Sequence, residues 1–256
     1  MPVSDIELLE ASAREAGEIA RSFWREDPQV WDKGGDDPVS EADFAVDSHL
    51  NATLLRARPD YGWVSEETED DPARMDASKV FIVDPIDGTR SFVAGEKHWA
   101  HSLAVVENGV VTAACVYLPV TDRMFTATLG SGAKLNGETM VASHRDAFEG
   151  ATILTPRVTL QDRFWKGPVP GFARHFRPSL AYRLALVGQG RFDGMLTLRA
   201  TWEWDIAAGT LIATEAGARV TDRAGRDIQF NTPSRKSAGV VATALPMHGE
   251  VLQALA

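Results

Sequence analysis

Lys79-Val80-Phe81-Ile82-Val83-Asp84-Pro85-Ile86-Asp87-Gly88-Thr89 is the most informative stretch of the chain. The apolar run from Val80 to Val83 reads as a buried strand that ends in an acid. Pro85 and the Asp87-Gly88 pair both punctuate the backbone, so a turn is expected over residues 85–89. Gly88 permits a tight turn there. Two carboxylates held this close repel each other, and a site that keeps both ionised supplies a cation. Magnesium suits hard oxygen donors. No cysteine pair and no His-x-x-His spacing offers a softer zinc site. A capped Asp-Gly turn is the alternative reading of the same residues.

Upstream, Tyr61 to Val64 reads as a strand leading into Ser65-Glu66-Glu67. Before it, Ser40 is placed to cap a helix running from Glu41 to about Arg58, with Asp43 three residues after the cap. Trp31 to Pro38 is a polar, Gly-containing segment that includes Lys33. Ser4 and Glu7 form a capping box for a first helix over residues 4–26, with an apolar stripe at Ile6, Leu9, Ala13, Ala16, Ala20 and Phe23.

Downstream, His101 to Val106 and Val110 to Leu118 flank Asn108-Gly109 and predict a hairpin. Arg123 to Thr128 adds a strand, and Asn136-Gly137 a turn. The second half offers a β run over 151–155 and an irregular, basic-aromatic segment over 157–178. A helix from Ser179 to Val187 follows, then a strand from Phe192 to Leu198. A helix from Asp205 to Ala216 closes on Gly217. Strands near 218–221 and 238–243 and a helix from Pro246 to Leu255 complete the chain. Hairpins mixed with crossovers indicate the α/β class. Two domains are expected, 1–145 and 146–256.

The chain has 256 residues, long enough to bury a large core. Lys and Arg total 26 against 36 Asp and Glu, a net charge of -10. That acidity disfavours a polymeric nucleic-acid partner. The single cysteine, Cys115, excludes an intrachain disulfide and reads as a buried small hydrophobe. Absence of a long apolar span or a basic leader points away from the membrane and towards a cytoplasmic protein. Gly-x-Ser-x-Gly and a phosphate loop ending in Gly-Lys-Ser/Thr are both missing.

The remaining chemistry lies in acids at element ends, where α/β proteins assemble sites from distant segments. Asp43, Glu66-Glu67, Asp84, Asp87 and Asp205 are the informative acids. Singly, each has a plainer reading: a solvated pair at Glu66-Glu67, or helix caps at Asp43 and Asp205. Thr89, with Asp43 as its partner, could orient a water. These intact acids argue against a catalytically silent binding protein.

Asp84-Pro85-Ile86-Asp87-Gly88-Thr89 with Phe92 resembles the central signature of the inositol monophosphatase family, magnesium-dependent and lithium-sensitive phosphomonoesterases. Glu66-Glu67, Val39-Ser40-Glu41-Ala42-Asp43 and Trp204-Asp205-Ile206-Ala207-Ala208-Gly209 resemble its other motifs, in order and across nearly the whole chain. The resemblance implies a layered α/β/α/β/α sugar-phosphatase fold. It implies one Mg2+ on Glu66, Asp84 and the Ile86 carbonyl, a second on Asp84, Asp87 and Asp205, and a weaker third near Glu66. A water activated by Asp43, Thr89 and metal, with Glu66 sharing the catalytic role, would attack phosphorus in line, with no covalent intermediate. Gly88 and Thr89 would hold phosphate oxygens. Arg90-Ser91 and Thr201-Trp202-Glu203-Trp204 look more like the 3'(2'),5'-bisphosphate nucleotidase branch, so a bisphosphate nucleotide is the expected substrate. Inositol 1-phosphate and histidinol phosphate are the alternatives. Arg90, Lys33 and Arg199 are the expected leaving-group contacts. The partner implied is a small phosphorylated metabolite, and the assembly a monomer or homodimer.

Overall fold

A computed structural model describes residues 3–34 and 38–256. In chain order the elements begin with α1 (Asp5–Phe23), β1 (Val30–Asp32), β2 (Pro38–Ser40), α2 (Glu41–Ala57), β3 (Gly62–Ser65), β4 (Lys79–Asp87) and α3 (Thr89–Val93). There follow β5 (Ala100–Glu107), β6 (Val110–Leu118), β7 (Arg123–Thr128), β8 (Ala133–Leu135), β9 (Glu138–Thr139), β10 (Thr152–Leu154) and β11 (Ala173–His175). The chain closes with α4 (Leu180–Gly188), β12 (Gly194–Thr197), β13 (Thr201–Trp202), α5 (Glu203–Glu215), β14 (Ala218–Thr221), β15 (Lys236–Ser237), β16 (Val240–Ala244) and α6 (His248–Ala254).

The period-two alternation of the central strands builds the layers. Phe81, Val83, Leu103, Val105 and Cys115 face one way and pack with α1 and α2. Val80, Ile82, Ala104, Val106, Ala114 and Val116 face the other way and pack with α4 and α5. Those two helices meet a second sheet through Leu154, Met195, Val240 and Ala242. That sheet's opposite side, with Ile153, Leu196 and Val241, is covered by α6 residues such as Val251 and by Trp165. The result is the expected order α/β/α/β/α. The first sheet runs β3-β4-β5-β6-β7-β8-β9 and the second β11-β10-β12-β16-β14. Cys115 is fully buried, and burial pushes its thiol pKa up.

Local signals hold in detail. Ser4 and Glu7 close a capping box on α1. Asn108 and Gly109 both take positive φ, 51° and 81°, as a two-residue hairpin turn requires.

Three readings need correction. β4 does not stop at Asp84 but continues to Asp87, with a register shift between them: Asp84 pairs with Ser102 and Asp87 with Ala100. Pro85 and Ile86 thus lie opposite the single residue His101 of β5, a bulge, and Pro85 fits because its missing N–H costs no ladder bond there. The expected turn is confined to Gly88, at φ 100°, which starts α3. Secondly, the polar segment over 31–38, read without any element, contains the last two residues of β1 and the first of β2, an antiparallel pair joining Val30 to Ser40; residues 35–37 lie outside the described residues. Strands this short carry too few residues to show alternation. Thirdly, α5 starts two residues early, at Glu203, so Asp205 sits in its first turn instead of capping it.

Candidate active site

The bulge of β4 is the centre from which the site is built. β3 runs parallel to β4 with Ser65 opposite Val83, so Glu66, leaving the strand, lies beside Asp84 and its N–H donates to the Val83 carbonyl. On the other side, Ser102 lies opposite Asp84, and its hydroxyl donates to the carbonyl of Trp204 (3.0 Å). That bond fixes the start of α5, and with it Asp205. Glu66, Asp84 and Asp205 consequently bring carboxylate oxygens within 4.8 Å of one another.

Asp84 is buried, and its Oδ1 has no hydrogen-bond partner. Burial, reinforced by the charges of Glu66, Asp87, Asp205 and Asp43, drives its pKa well above the carboxylate range. Burial likewise raises Asp205 well above it, with the charges of Asp87 and Glu66 adding to the effect. A buried carboxylate without a donor, among other carboxylates, is a costly arrangement unless a cation joins it. Every donor in the cluster is a hard oxygen, and no His or Cys lines the surrounding cleft among the described residues. The residues present therefore fit a divalent metal ion.

Asp87 lies on the wall of the same cleft but outside that trio. Its Oδ2 accepts from Ser179 Oγ (2.6 Å) and Ala181 N (2.6 Å), and its Oδ1 from Leu180 N (3.1 Å). Asp87 therefore binds the N-terminus of α4, where backbone donors and the helix dipole favour an anion. Oδ1 keeps a lone pair for a cation. Burial still raises its pKa to about 6 against these bonds.

Asp43 serves two functions at once. Its Oδ2 accepts from Ser40 N (2.8 Å) and Oγ (2.6 Å), which is the capping box of α2. Its Oδ1 accepts from Thr89 Oγ1 (3.1 Å), which also approaches the Ile86 carbonyl (3.0 Å). Burial lifts Asp43 to about 6. Asp43 does not line the cleft, so it reaches the cleft only through Thr89.

The cleft holds about 620 Å3. Gly88, Thr89, Arg90 and Arg199 line it as expected. Lys33 does not: its ammonium donates to Glu66 Oε1 (3.0 Å) and Glu67 Oε1 (2.7 Å). The basic-aromatic segment divides. Trp165 and Phe172 pack against Phe148, whereas Val158, Thr159, Phe164 and Phe176 face the cleft. None of the segment's arginines lines it.

The structure adds one residue to the cleft that the sequence did not single out, and gives another, Glu203, a different role from the substrate signal it carried in the Trp202-Glu203-Trp204 run. Arg183 lines the cleft from α4, stacked over Phe176 at 4.4 Å and donating to the carbonyls of Arg177 and Pro178. Only helical spacing from Ser179 could have pointed to it. Glu203 is fully buried and accepts from Asn231 N (2.6 Å), Thr232 N (3.1 Å) and Thr232 Oγ1 (2.5 Å), anchoring the first turn of α5 two residues before Asp205.

A pH dependence follows. Asp43 and Asp87 titrate near 6, Glu67 near 7 and Asp84 and Asp205 higher than ordinary carboxylates. The folded state holds more protons than the unfolded one, so their contribution to stability falls as pH rises. Buried His101 and His248, lowered to about 4, act oppositely but only below their unfolded value of about 6.5. Thermal melts in chelator should therefore give a lower Tm at pH 8 than at pH 6.5. A flat or rising Tm would contradict the electrostatics described here.

Comparison with known proteins agrees with the fold and the site. The model of the inositol monophosphatase family matches residues 3–256. An inositol-1-monophosphatase of Rhizobium meliloti is 36% identical over 234 residues, covering 85% of each chain. The Nus factor SuhB of Vibrio cholerae is 35% identical over 242 residues, covering 91% of this chain and 88% of its own. The structure of an IMPase from Thermotoga maritima superimposes with a TM-score of 0.81 at 30% identity, covering 95% and 93% of the two chains. None of these names is that of a bisphosphate nucleotidase. A match over nearly every residue, on the layered fold and around these acids, places the chain in the inositol monophosphatase family of phosphatase hydrolases.

Proposed function

We propose that this cleft hydrolyses a small phosphomonoester with the aid of Mg2+, and that the substrate is inositol 1-phosphate or a close polyol phosphate. The observation that carries the reading is the Glu66, Asp84 and Asp205 cluster with its unpartnered Asp84 Oδ1, next to the Thr89–Asp43 pair. An all-oxygen donor set favours Mg2+ over softer ions. Bound there, a divalent ion supplies Lewis acidity to a water and to the departing oxygen.

The protein's own residues do the rest. Thr89, donating to Asp43 Oδ1, leaves its lone pairs to accept from a water and orient it. Asp43, charged above about pH 6, is the acceptor end of that relay. Glu66 stands at the cleft on the same cluster and helps place the water. Gly88 and Thr89, opening α3, offer backbone donors to phosphate oxygens. Asp87 keeps α4 against the cluster and has Oδ1 available to the ion. Membership of the family and the name of the Rhizobium meliloti relative support the polyol substrate.

One observation favours a second reading, a 3'(2'),5'-bisphosphate nucleotide. The cleft is lined by Arg90, Arg183 and Arg199 together with Phe164 and Phe176, groups that suit a second phosphate and a base. The test is a phosphate-release panel with Mg2+ on inositol 1-phosphate, 3'-phosphoadenosine 5'-phosphate and histidinol phosphate. The expected result is the highest kcat/KM on inositol 1-phosphate. The highest value on the nucleotide would install the second reading, and no release from any would remove both.

A further inference from the structure

Lys33 belongs to the short β1–β2 ribbon, just past the end of β1. Its ammonium donates to one oxygen of Glu66 (3.0 Å) and one of Glu67 (2.7 Å). Glu67 is nearly inaccessible, its side chain 4% exposed, whereas Lys33 and Glu66 retain 28% and 22%. Glu66 is also one of the three carboxylates in the acid cluster. One acceptor residue is thus shared between a fixed cation of the chain and the place where a divalent ion fits.

Two cations that use the same carboxylate repel each other, and the partly exposed one is the easier to move. Glu67, adjacent in sequence, keeps a second hold on the ammonium and lies outside the cluster. The ribbon itself is tied to the catalytic floor. Trp31 contacts Phe44 of α2 at 5.8 Å, and β2 ends at Ser40, whose N–H and hydroxyl hold Asp43. A shift of Lys33 therefore acts on the strand pair that leads to Asp43.

We propose that Lys33 is a displaceable internal counter-ion of Glu66, which a divalent ion replaces there, so that the β1–β2 ribbon responds to ion occupancy. The proposal rests on the reading of the cluster as a divalent-ion site. It assigns to Lys33 a different role from the substrate contact expected from the sequence. It also explains how an acid-rich cleft keeps a charge balance at its mouth, since an unpaired, nearly buried Glu67 would be costly.

The test is calorimetric titration of Mg2+ into the chelator-stripped full chain, for wild type, Lys33→Met and Lys33→Arg. Removing the competing charge should tighten ion binding in Lys33→Met by about fivefold, the scale of a partly exposed ion pair. Lys33→Arg, which keeps the charge, should stay within about twofold of wild type. Trp31 gives a second readout, taken as the fluorescence difference between each protein and its Trp31→Phe counterpart. That difference should change with Mg2+ in wild type and much less in Lys33→Met. Equal affinities with an unchanged Trp31 response would overturn the counter-ion role. Weaker binding in Lys33→Met would overturn it too, because Lys33 would then be supporting the ion. No Mg2+ binding by any of the three proteins would instead remove the reading of the cluster, which separates the two failures. Should Lys33→Met fold poorly, Lys33→Met with Glu67→Gln restores the charge balance, and the same fivefold gain is expected.

Discussion

Replacing Asp84 by Asn should lower kcat/KM by about three orders of magnitude, equivalent to ~4 kcal/mol of transition-state stabilisation. Asp84 is the buried member of the acid trio and the one whose Oδ1 has no donor from the protein. It stands between Glu66, brought alongside by the parallel β3–β4 pairing, and Asp205, held by the Ser102–Trp204 bond. Loss of its charge weakens every ion the cluster holds. Stability should move the other way. Glu66, Asp87 and Asp205 all raise the pKa of Asp84, so the neutral amide relieves repulsion. In chelator the variant should melt above wild type, and the fall in Tm between pH 6.5 and 8 should shrink. Activity within tenfold of wild type at saturating Mg2+ would refute the central position of Asp84. A large loss of both activity and Tm would mean the variant merely misfolds.

Thr89→Val should cost about a hundredfold or more in kcat, the scale of a positioned proton acceptor, with KM little changed. Thr89 is the link between the cleft and Asp43, which itself does not line it. The Asp43→Asn change should therefore give a similar loss, and the double variant little more than either alone. The comparison to make is the set of kcat values for the two singles and the double. Multiplicative losses would show that Asp43 and Thr89 act separately and would dissolve the relay. Asp43→Asn keeps an acceptor for the Ser40 donors, so α2 should remain capped.

The sequence was most legible where periodicity and turn chemistry agree. The continuous apolar run from Val80 to Val83 and the Asn108-Gly109 turn located the central sheet, because side-chain burial and positive φ are local requirements. The acids were legible as a set because each reads, in the sequence, as lying at an element end. Their relative placement was not. Nothing in Asp84-Pro85-Ile86-Asp87 announces a bulge, since the register depends on β5. Asp87 reads as a ligand from spacing, yet its strongest visible contacts are to α4, 92 to 94 residues away. Lys33 reads as a substrate contact until folding sets it against Glu66 and Glu67. Arginines crowd the segment 157–177, but the cleft draws its arginines from elsewhere, at positions 90, 183 and 199. Those facts arise from tertiary contacts, which a single chain of residues does not encode locally. The preference for a nucleotide rested on Arg90 and the Trp-Glu-Trp-Asp run. In the fold, Glu203 of that run anchors the loop at Asn231 and Thr232 and does not line the cleft.

The metal dependence of the cleft is tested by phosphate release from inositol 1-phosphate by the chelator-treated enzyme before and after Mg2+ is restored. The acids converge on one cleft, and without a cation they repel an anionic substrate. Release below about one per cent of the restored rate is expected in chelator, with full recovery on adding Mg2+ and no recovery in Asp84→Asn. Normal turnover by the chelated enzyme would contradict that dependence.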